Sequence, residues 1–413
     1  MEIEFKLLEA LKAYLSGATV SWSEKIAESE WISLLHLARA QRILPMFYHA
    51  VRNCPSWSLN QNLEKATRSE VLSNVMIQTT KTVDFLTLYR KLLEADLQPL
   101  VVKGIVCSTL YPHPDYRLSG DEDLVILPMQ GVTCHHIFLD HGMRPVRQGH
   151  DSTNQEEAGY QKPETWLYTE VHQALFPSDS QAYGELNQFF SPVFSHAIVE
   201  EIQGIPVWTL DHTHHLLYLI LHAFKHFIHS GFGIRQVCDI TLYANAHGSE
   251  IDWDYVLNCC LSAHAHLFAA ALFQLGEIYL TFDRKKSCVS PSWQRIHTEC
   301  QPILADILSG GIYGASSASR QHSATITLHA VAASKTGKSS KLSVFSSLFP
   351  SYKYMAGQYS YLKKHPYLLP VAWISRMAKY RRETTKAGSG GAAQALHIGN
   401  QRVELLRKYG IIP

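Results

Sequence analysis

Apolar positions through the first 95 residues recur with the period of a helix, not of a strand. Trp31, Leu34, Leu35 and Ala38 share one helical face, with Ser29 placed as its N-cap. A longer helix is predicted over 60–95, with Leu63, Ala66, Val71, Val75, Phe85 and Leu88 on its apolar side. At Leu97 the texture changes. The run Leu-Gln-Pro-Leu-Val-Val is short, β-branched and followed at once by Lys103-Gly104, which predicts a strand ending in a tight turn. A short helix over 105–111, a strand over 123–127, a helix over 132–140 stopping at Gly142 and a strand within 165–175 follow. Residues 197–202 and 205–210, joined by Gln203-Gly204, read as a hairpin. From Asp211 the helical period returns, over 212–229, 235–247, 253–264, 267–280 and 293–308. Residues 309–344 are rich in Gly, Ser, Ala and Thr and read as loop or partial disorder. The remainder, 348–413, is aromatic and basic, with Gly-Ser-Gly-Gly at 388–391.

These elements sort into an N-terminal helical region (1–95), an α/β core (96–210), a helical domain (211–310) and a flexible segment with a basic, aromatic helical tail (311–413). The expected fold class is α+β: a small mixed β-sheet flanked by N-terminal and C-terminal helical regions. No internal repeat stands out.

Composition narrows the class. A chain of 413 residues with 46% hydrophobic and 18% charged positions is an ordinary globular protein with room for two or three domains. Its formal net charge is +1, so the strong basic excess of a duplex-binding domain is missing. The 8 cysteines form no C-x-x-C pair, and the start Met-Glu-Ile-Glu-Phe-Lys is no signal peptide, which reads as a reduced, cytoplasmic protein. The apolar stretch at 367–374 is far short of the roughly 20 residues of a membrane span, so no transmembrane segment is expected. The 23 histidines invite a metal reading. His222 and His226 stand at i, i+4, but no Glu follows the first, so the zincin pattern is not met. The tail over 353–408 mixes Lys and Arg with Tyr and Trp; a helix with its basic residues outward is favoured there over a surface for an anionic acceptor.

The chemistry concentrates in Leu-Ser-Gly-Asp-Glu-Asp-Leu-Val-Ile at 118–126. Residues i and i+2 of a strand project from one face, which puts Asp121 and Asp123 together about 6–7 Å apart along it. Carboxylates that close repel unless a cation sits between them, and paired divalent ions with oxygen ligands are held this way for phosphoryl chemistry. Glu170 and His172, alternating in Trp-Leu-Tyr-Thr-Glu-Val-His, offer a third carboxylate and an imidazole on one face. Lys103-Gly104, between strand and helix, would present free N–H groups and a helix dipole to a phosphate. A D-x-D by itself usually marks a solvated turn; it is the conjunction of these segments that points to a site. Glu122, between the aspartates, is costly to bury unpaired. It sits at an exposed edge, or joins the metal site, or marks a site drifted from activity.

The segments Val102-Lys-Gly104, Leu110-Tyr-Pro112, Arg117 and Gly120-Asp-Glu-Asp-Leu-Val125 resemble the signature of the bacterial uncharacterised nucleotidyltransferase family, a branch of the polymerase-β-type superfamily. The likeness continues in Ile43-Leu-Pro-Met-Phe-Tyr48, in Glu170-Val-His172 and in Leu221-His, Lys225-His226, Arg235, Asp239 and Ile251-Asp-Trp253. It reaches the tail at Phe349-Pro, Tyr354, Trp373 and Arg376, and so covers about 30–380. The resemblance implies a nucleotidyltransferase core in which Asp121, Asp123 and Glu170 hold Mg²⁺ (or Mn²⁺), with Glu170 orienting or deprotonating the attacking group. It implies an NTP as substrate, a nucleoside monophosphate moved to an acceptor, and pyrophosphate released. Lys103 and Gly104 would meet the triphosphate where the wider superfamily has Gly-Ser, and Arg117, Lys225 and Arg235 are further nucleotide-binding candidates. For Arg117 a surface ion pair is an equal alternative, and for Lys225 and Arg235 solvated helix positions are the plainer reading. His172 orients Glu170 or packs beside it. The acceptor is unidentified, a small molecule, peptide or protein being favoured over nucleic acid. The alternatives are a weak or inactive binding or assembly protein on the same fold, and a nucleotidyltransferase that modifies a protein or peptide.

Overall fold

A computed structural model describes residues 2–146, 156–311, 318–335, 352, 355, 359–386 and 392–413. The fold is α+β, a helix-rich chain around a five-stranded mixed sheet and a two-stranded one. It divides into two compact units: Met1–Leu221 with Ile234–His297, and His222–Gly233 with Thr298–Pro413.

The first unit opens with helices α1 (Glu2–Leu15), α2 (Glu28–Ala40), α3 (Leu44–Val51) and α4 (Gln61–Glu94). α4 starts where its sequence allows: the Asn60 side chain accepts the Leu63 N–H at 2.9 Å, satisfying one orphan donor of the first turn. The cap of α2 differs from expectation. Ala27, not Ser29, occupies that position, because the Glu30 carboxylate reaches back to the Ala27 N–H at 2.9 Å.

Strand β1 (Leu100–Val102) leads through the turn at Lys103 into the short helix α5 (Gly104–Ser108). Then come β2 (Glu122–Val125), α6 (Gly131–Asp140), β3 (Arg144–Pro145), β4 (Glu157–Lys162) and β5 (Leu167–His172). The sheet order is β1-β2-β5-β4-β3, with β2 and β5 parallel and the other pairs antiparallel. β3 and β4 went unpredicted: Glu-Ala-Gly-Tyr-Gln-Lys contains no β-branched residue, so only cross-strand pairing makes it a strand. One face of the sheet buries Val101, Leu124, Val171 and Tyr160 with Phe85, Leu88 and Leu92 of α4 and Phe138 of α6. Strands β6 (Ala197–Ile202) and β7 (Ile205–Leu210) form the hairpin the sequence announces. Gln203 and Gly204 both have positive φ, 50° and 77°, as a two-residue turn of this twist requires. The helices α7 (His212–His229), α8 (Ile234–His247), α9 (Trp253–Ser262) and α10 (His266–Tyr279) follow the predicted spans closely.

Two expectations fail beyond this point. The single helix over 293–308 is two, α11 (Pro291–Gln294) and α12 (Gln301–Gly310). Pro302 suits only a first helical turn, so the second helix restarts beside it. Within the supposed loop over 309–344, Ala318–Lys335 is a helix in the second unit, α13. Its buried positions Arg320, Ser323, Ala324, Thr327, Ala330 and Val331 keep helical spacing, but small and polar side chains conceal the stripe. Arg320 pairs with Asp306 at 2.7 Å and donates to the Ser230 carbonyl at 2.9 Å, both inside that unit. The rest of 309–344 that is not described, and the Gly-Ser-Gly-Gly run, lie outside the described residues. Among the described residues no helix is long and apolar enough to cross a membrane.

Candidate active site

The turn after β1 is held in an unusual shape. Lys103 has φ 55° and ψ −125°, and Gly104 has φ 35°. A non-glycine residue takes positive φ at a cost, which the surroundings must offset. Here the Lys103 N–H donates to His215 Nε2 at 3.1 Å. The Thr209 hydroxyl donates to the Val101 carbonyl at 2.7 Å, so at 3.2 Å it accepts from His215 Nδ1 and fixes the tautomer. Burial, then the neighbouring His212 and His247, pushes the His215 imidazole down to about 3, which keeps Nε2 a lone-pair acceptor at neutral pH. Glycine is required next, since a Cβ on residue 104 would stand 2.0 Å from Glu122 Oε2.

From this turn the Lys103 ammonium reaches the other side of β2. It pairs with Asp123 Oδ2 and lies 3.6 Å from Asp121 Oδ2. Asp121 precedes the first residue of β2 and keeps the strand's alternation, so both aspartates share a face as expected. Register does the rest. Asp123 is opposite Glu170, and Val125 opposite His172, across the parallel pair. His172 Nε2 is 3.0 Å from Asp123 Oδ1 and 3.7 Å from Glu170 Oε2. Side-chain exposure rises from 3% at Asp123 to 21% at Asp121 and 26% at Glu170, so the face opens towards solvent on the Asp121–Glu170 side. Burial, and then the Asp121 charge, pushes the Glu170 carboxyl up. The half-buried Tyr168 hydroxyl, beside Glu170, is pushed up to about 12 by desolvation and then by the Glu170 charge.

One lysine thus faces three carboxylates. Asp123, Glu170 and His172 each offer a ligand atom within 4.8 Å of the others. The Lys103 ammonium lies between the two aspartates, and carboxylate oxygens of this kind suit a hard divalent ion. The residues present fit one.

Glu122 points the other way. It is 4% exposed, shares the face of Leu124, and accepts the Ile105 N–H at 2.9 Å. Burial pushes its carboxyl up, against the pull of Lys81 and Arg117 and of hydrogen bonds from Ser119 and Ile105. It therefore neither lies at an exposed edge nor joins the acidic cluster; it ties β2 to the first turn of α5. The expectation of free amides at the Lys103-Gly104 turn needs correcting. His215 and Glu122 take the Lys103 and Ile105 N–H groups, which leaves the ammonium as the turn's main cationic offering.

Arg117, expected at a phosphate or in a surface pair, is buried; its Nε and Nη2 donate to Asp239 at 2.8 and 2.7 Å. Tyr111 donates to the same carboxylate at 2.7 Å. Arg235 is buried in the first turn of α8, its Nε and Nη1 without a hydrogen-bond partner among the described residues. Lys225 belongs to the second unit. Sequence reasoning missed Gln78 and Lys81 of α4, which grip the strand's lead-in: Gln78 accepts the Ser119 N–H at 2.8 Å, and Lys81 donates to the Ser119 carbonyl at 2.7 Å. They line a cleft of about 280 Å³ with Arg39, Arg42 and Asn74. In the sequence they are polar positions of a long helix, and nothing marks them out.

An α+β chain with an acidic sheet face set against a lysine-bearing turn defines the class. The chain belongs to the uncharacterised nucleotidyltransferase family, whose sequence model matches residues 27–280, and the family supports nucleotidyl transfer as its general activity. No curated protein and no solved structure matches the chain significantly.

Proposed function

We propose that the protein transfers a nucleoside monophosphate from an NTP to an acceptor hydroxyl or similar nucleophile, with Mg²⁺ or Mn²⁺, at Asp121, Asp123 and Glu170. The observation that carries this reading is the in-register pairing of Asp123 with Glu170 beside the Lys103 ammonium. A divalent ion bound there would neutralise phosphate charge and polarise the reacting phosphorus. Asp121 and Asp123 would hold that ion, and His172 holds the Asp123 carboxylate in place at 3.0 Å. Glu170, whose proton affinity is raised, takes the acceptor's proton on a carboxylate oxygen. The acceptor oxygen then bonds to the α-phosphorus, the bond to the bridging oxygen breaks, and pyrophosphate leaves with that electron pair. Lys103, drawn towards the new negative charge, meets the triphosphate. Because Glu122 serves the opposite face, its presence between the aspartates is no sign of decay.

The acceptor we favour is a small molecule, peptide or protein, given a net charge of +1 without a basic excess. Each labelled NTP, with Mg²⁺ or Mn²⁺, is incubated with the chain and with small-molecule, peptide and oligonucleotide acceptors, and pyrophosphate is measured. Nucleotide binding without pyrophosphate from any acceptor supports a binding or assembly protein instead. Full transfer by Asp121→Asn and Asp123→Asn sinks the mechanism.

A further inference from the structure

Away from the acidic sheet face, in the same unit, three elements bring a second set of ligand-type side chains together. Glu200 comes from β6, His212 opens α7 and His247 closes α8. Each offers a ligand atom within 4.8 Å of the other two. The two imidazoles lie nearly parallel, 12° apart in plane with centroids 4.0 Å apart. His212 Nδ1 is 3.9 Å from Glu200 Oε1, and the Glu250 carboxylate sits 3.4 Å from His212 Nε2 and 3.5 Å from His247 Nδ1. The Tyr243 hydroxyl braces the His212 ring at 3.0 Å.

These groups are gathered but barely bonded to one another. The carboxylate distances exceed those of good hydrogen bonds, and Glu200 Oε1 is buried with no hydrogen-bond partner among the described residues. Protonating both stacked rings would set two cations face to face. One divalent ion would instead balance the Glu200 carboxylate and use both imidazoles. A tetrahedral ion with arms of about 2.0–2.1 Å needs neighbouring ligand atoms ~3.3–3.4 Å apart, so ion binding would draw the three side chains together from their spacings of up to 4.8 Å.

A rival cluster, His196, Asp211 and His214, is already accounted for. Asp211 caps α7 by accepting the His214 N–H at 2.9 Å, and its oxygens lie 2.8 and 2.9 Å from His214 Nδ1. That carboxylate is engaged; Glu200 is not.

We propose that Glu200, His212 and His247, with water in the fourth position, bind a borderline divalent transition ion such as Zn²⁺ or Co²⁺. A nitrogen-containing donor set selects such ions over Mg²⁺. The ion fastens the β6–β7 hairpin to the start of α7 and the end of α8. One turn along α7 from His212, His215 accepts the Lys103 N–H, so the clamp steadies the helix that holds the site's turn.

The test uses the full chain, stripped with chelator, carrying Asp123→Asn and Glu170→Gln so that the sheet carboxylates drop out of the titration. Co²⁺ is added and its visible d–d absorption read, with Zn²⁺ competition for affinity. One tetrahedral Co²⁺ per chain is expected. Adding Glu200→Gln, which keeps the side-chain shape, or His247→Ala should weaken binding at least about a hundredfold, beyond what outer-sphere partners carry. Adding His196→Ala should leave binding unchanged. Far-UV circular dichroism of each metal-free variant checks that the fold persists. No Co²⁺ uptake, uptake indifferent to Glu200→Gln, or loss with His196→Ala instead overturns the proposal.

Discussion

Arg117 and Asp239 close on each other through two hydrogen bonds and Tyr111 adds a third, with the buried Arg235 cation also acting on the carboxylate. Lys103 instead faces Asp121 and Asp123, with Glu170 beside them. In the first cluster burial would push Asp239 up, yet Arg117 and the hydrogen bonds hold it below its ordinary range. In the second, burial and a like charge push Glu170 up, and nothing reverses it. Both clusters contain motif-like residues, and both are largely buried. The two clusters differ in how carboxylate charge is met: Asp239 by two bonds from one guanidinium, and the carboxylates of the sheet face by one ammonium shared between two aspartates.

The largest effect that tests this contrast is on activity. Asp123→Asn should lower pyrophosphate release by about 10²–10³-fold or more, the scale of losing one charge-stabilising group, while thermal unfolding stays near wild type. A large stability loss would mean that Asp123 braces the fold as Asp239 does. Next, Arg117→Ala removes both guanidinium bonds to the buried Asp239 and should cost about 3–5 kcal/mol in urea unfolding. Arg117→Met with Asp239→Leu should restore much of it; failure of that double variant to recover would give the pair a role beyond balance.

A smaller effect is pH-dependent. Glu170 is held above its ordinary 4.5, so from there up to its raised value the folded chain binds a proton the unfolded chain has lost. The stability this group contributes therefore falls as pH rises through that window. Metal-free Glu170→Gln should be more stable than metal-free wild type at neutral pH and equal to it below pH 4.5; with Mg²⁺ or Mn²⁺ added, the variant should have lost transfer. An unchanged pH–stability curve breaks the assignment. Smallest of all, Glu122→Gln keeps an oxygen for the Ile105 N–H and should leave transfer within about threefold. Glu122→Ala, by leaving that amide without an acceptor, should cost about 1–3 kcal/mol. A collapse of metal binding in Glu122→Gln would return Glu122 to the acidic face.

Much of this was legible in the residues. Helical periodicity, the Asn60 cap and the Gln203-Gly204 turn are local properties, so the long helix and the hairpin lie where the pattern puts them. Strand alternation likewise placed Asp121 with Asp123, and Glu170 with His172. What stayed hidden depends on contacts remote in sequence. β4 exists because β5 pairs with it, and α13 hides its stripe in small residues. Gln78 and Lys81 matter only because α4 passes Ser119.

The sequence by itself determined which side chains share a strand face, because alternation is a property of the backbone. It did not determine that β2 and β5 lie side by side in the register that sets Asp123 against Glu170, nor where Glu122 finds its partner. Tertiary structure decided both. It brings Lys103 under the aspartates through a turn held by His215, more than a hundred residues away, and it closes α5 against the far side of β2, where the Ile105 amide receives Glu122.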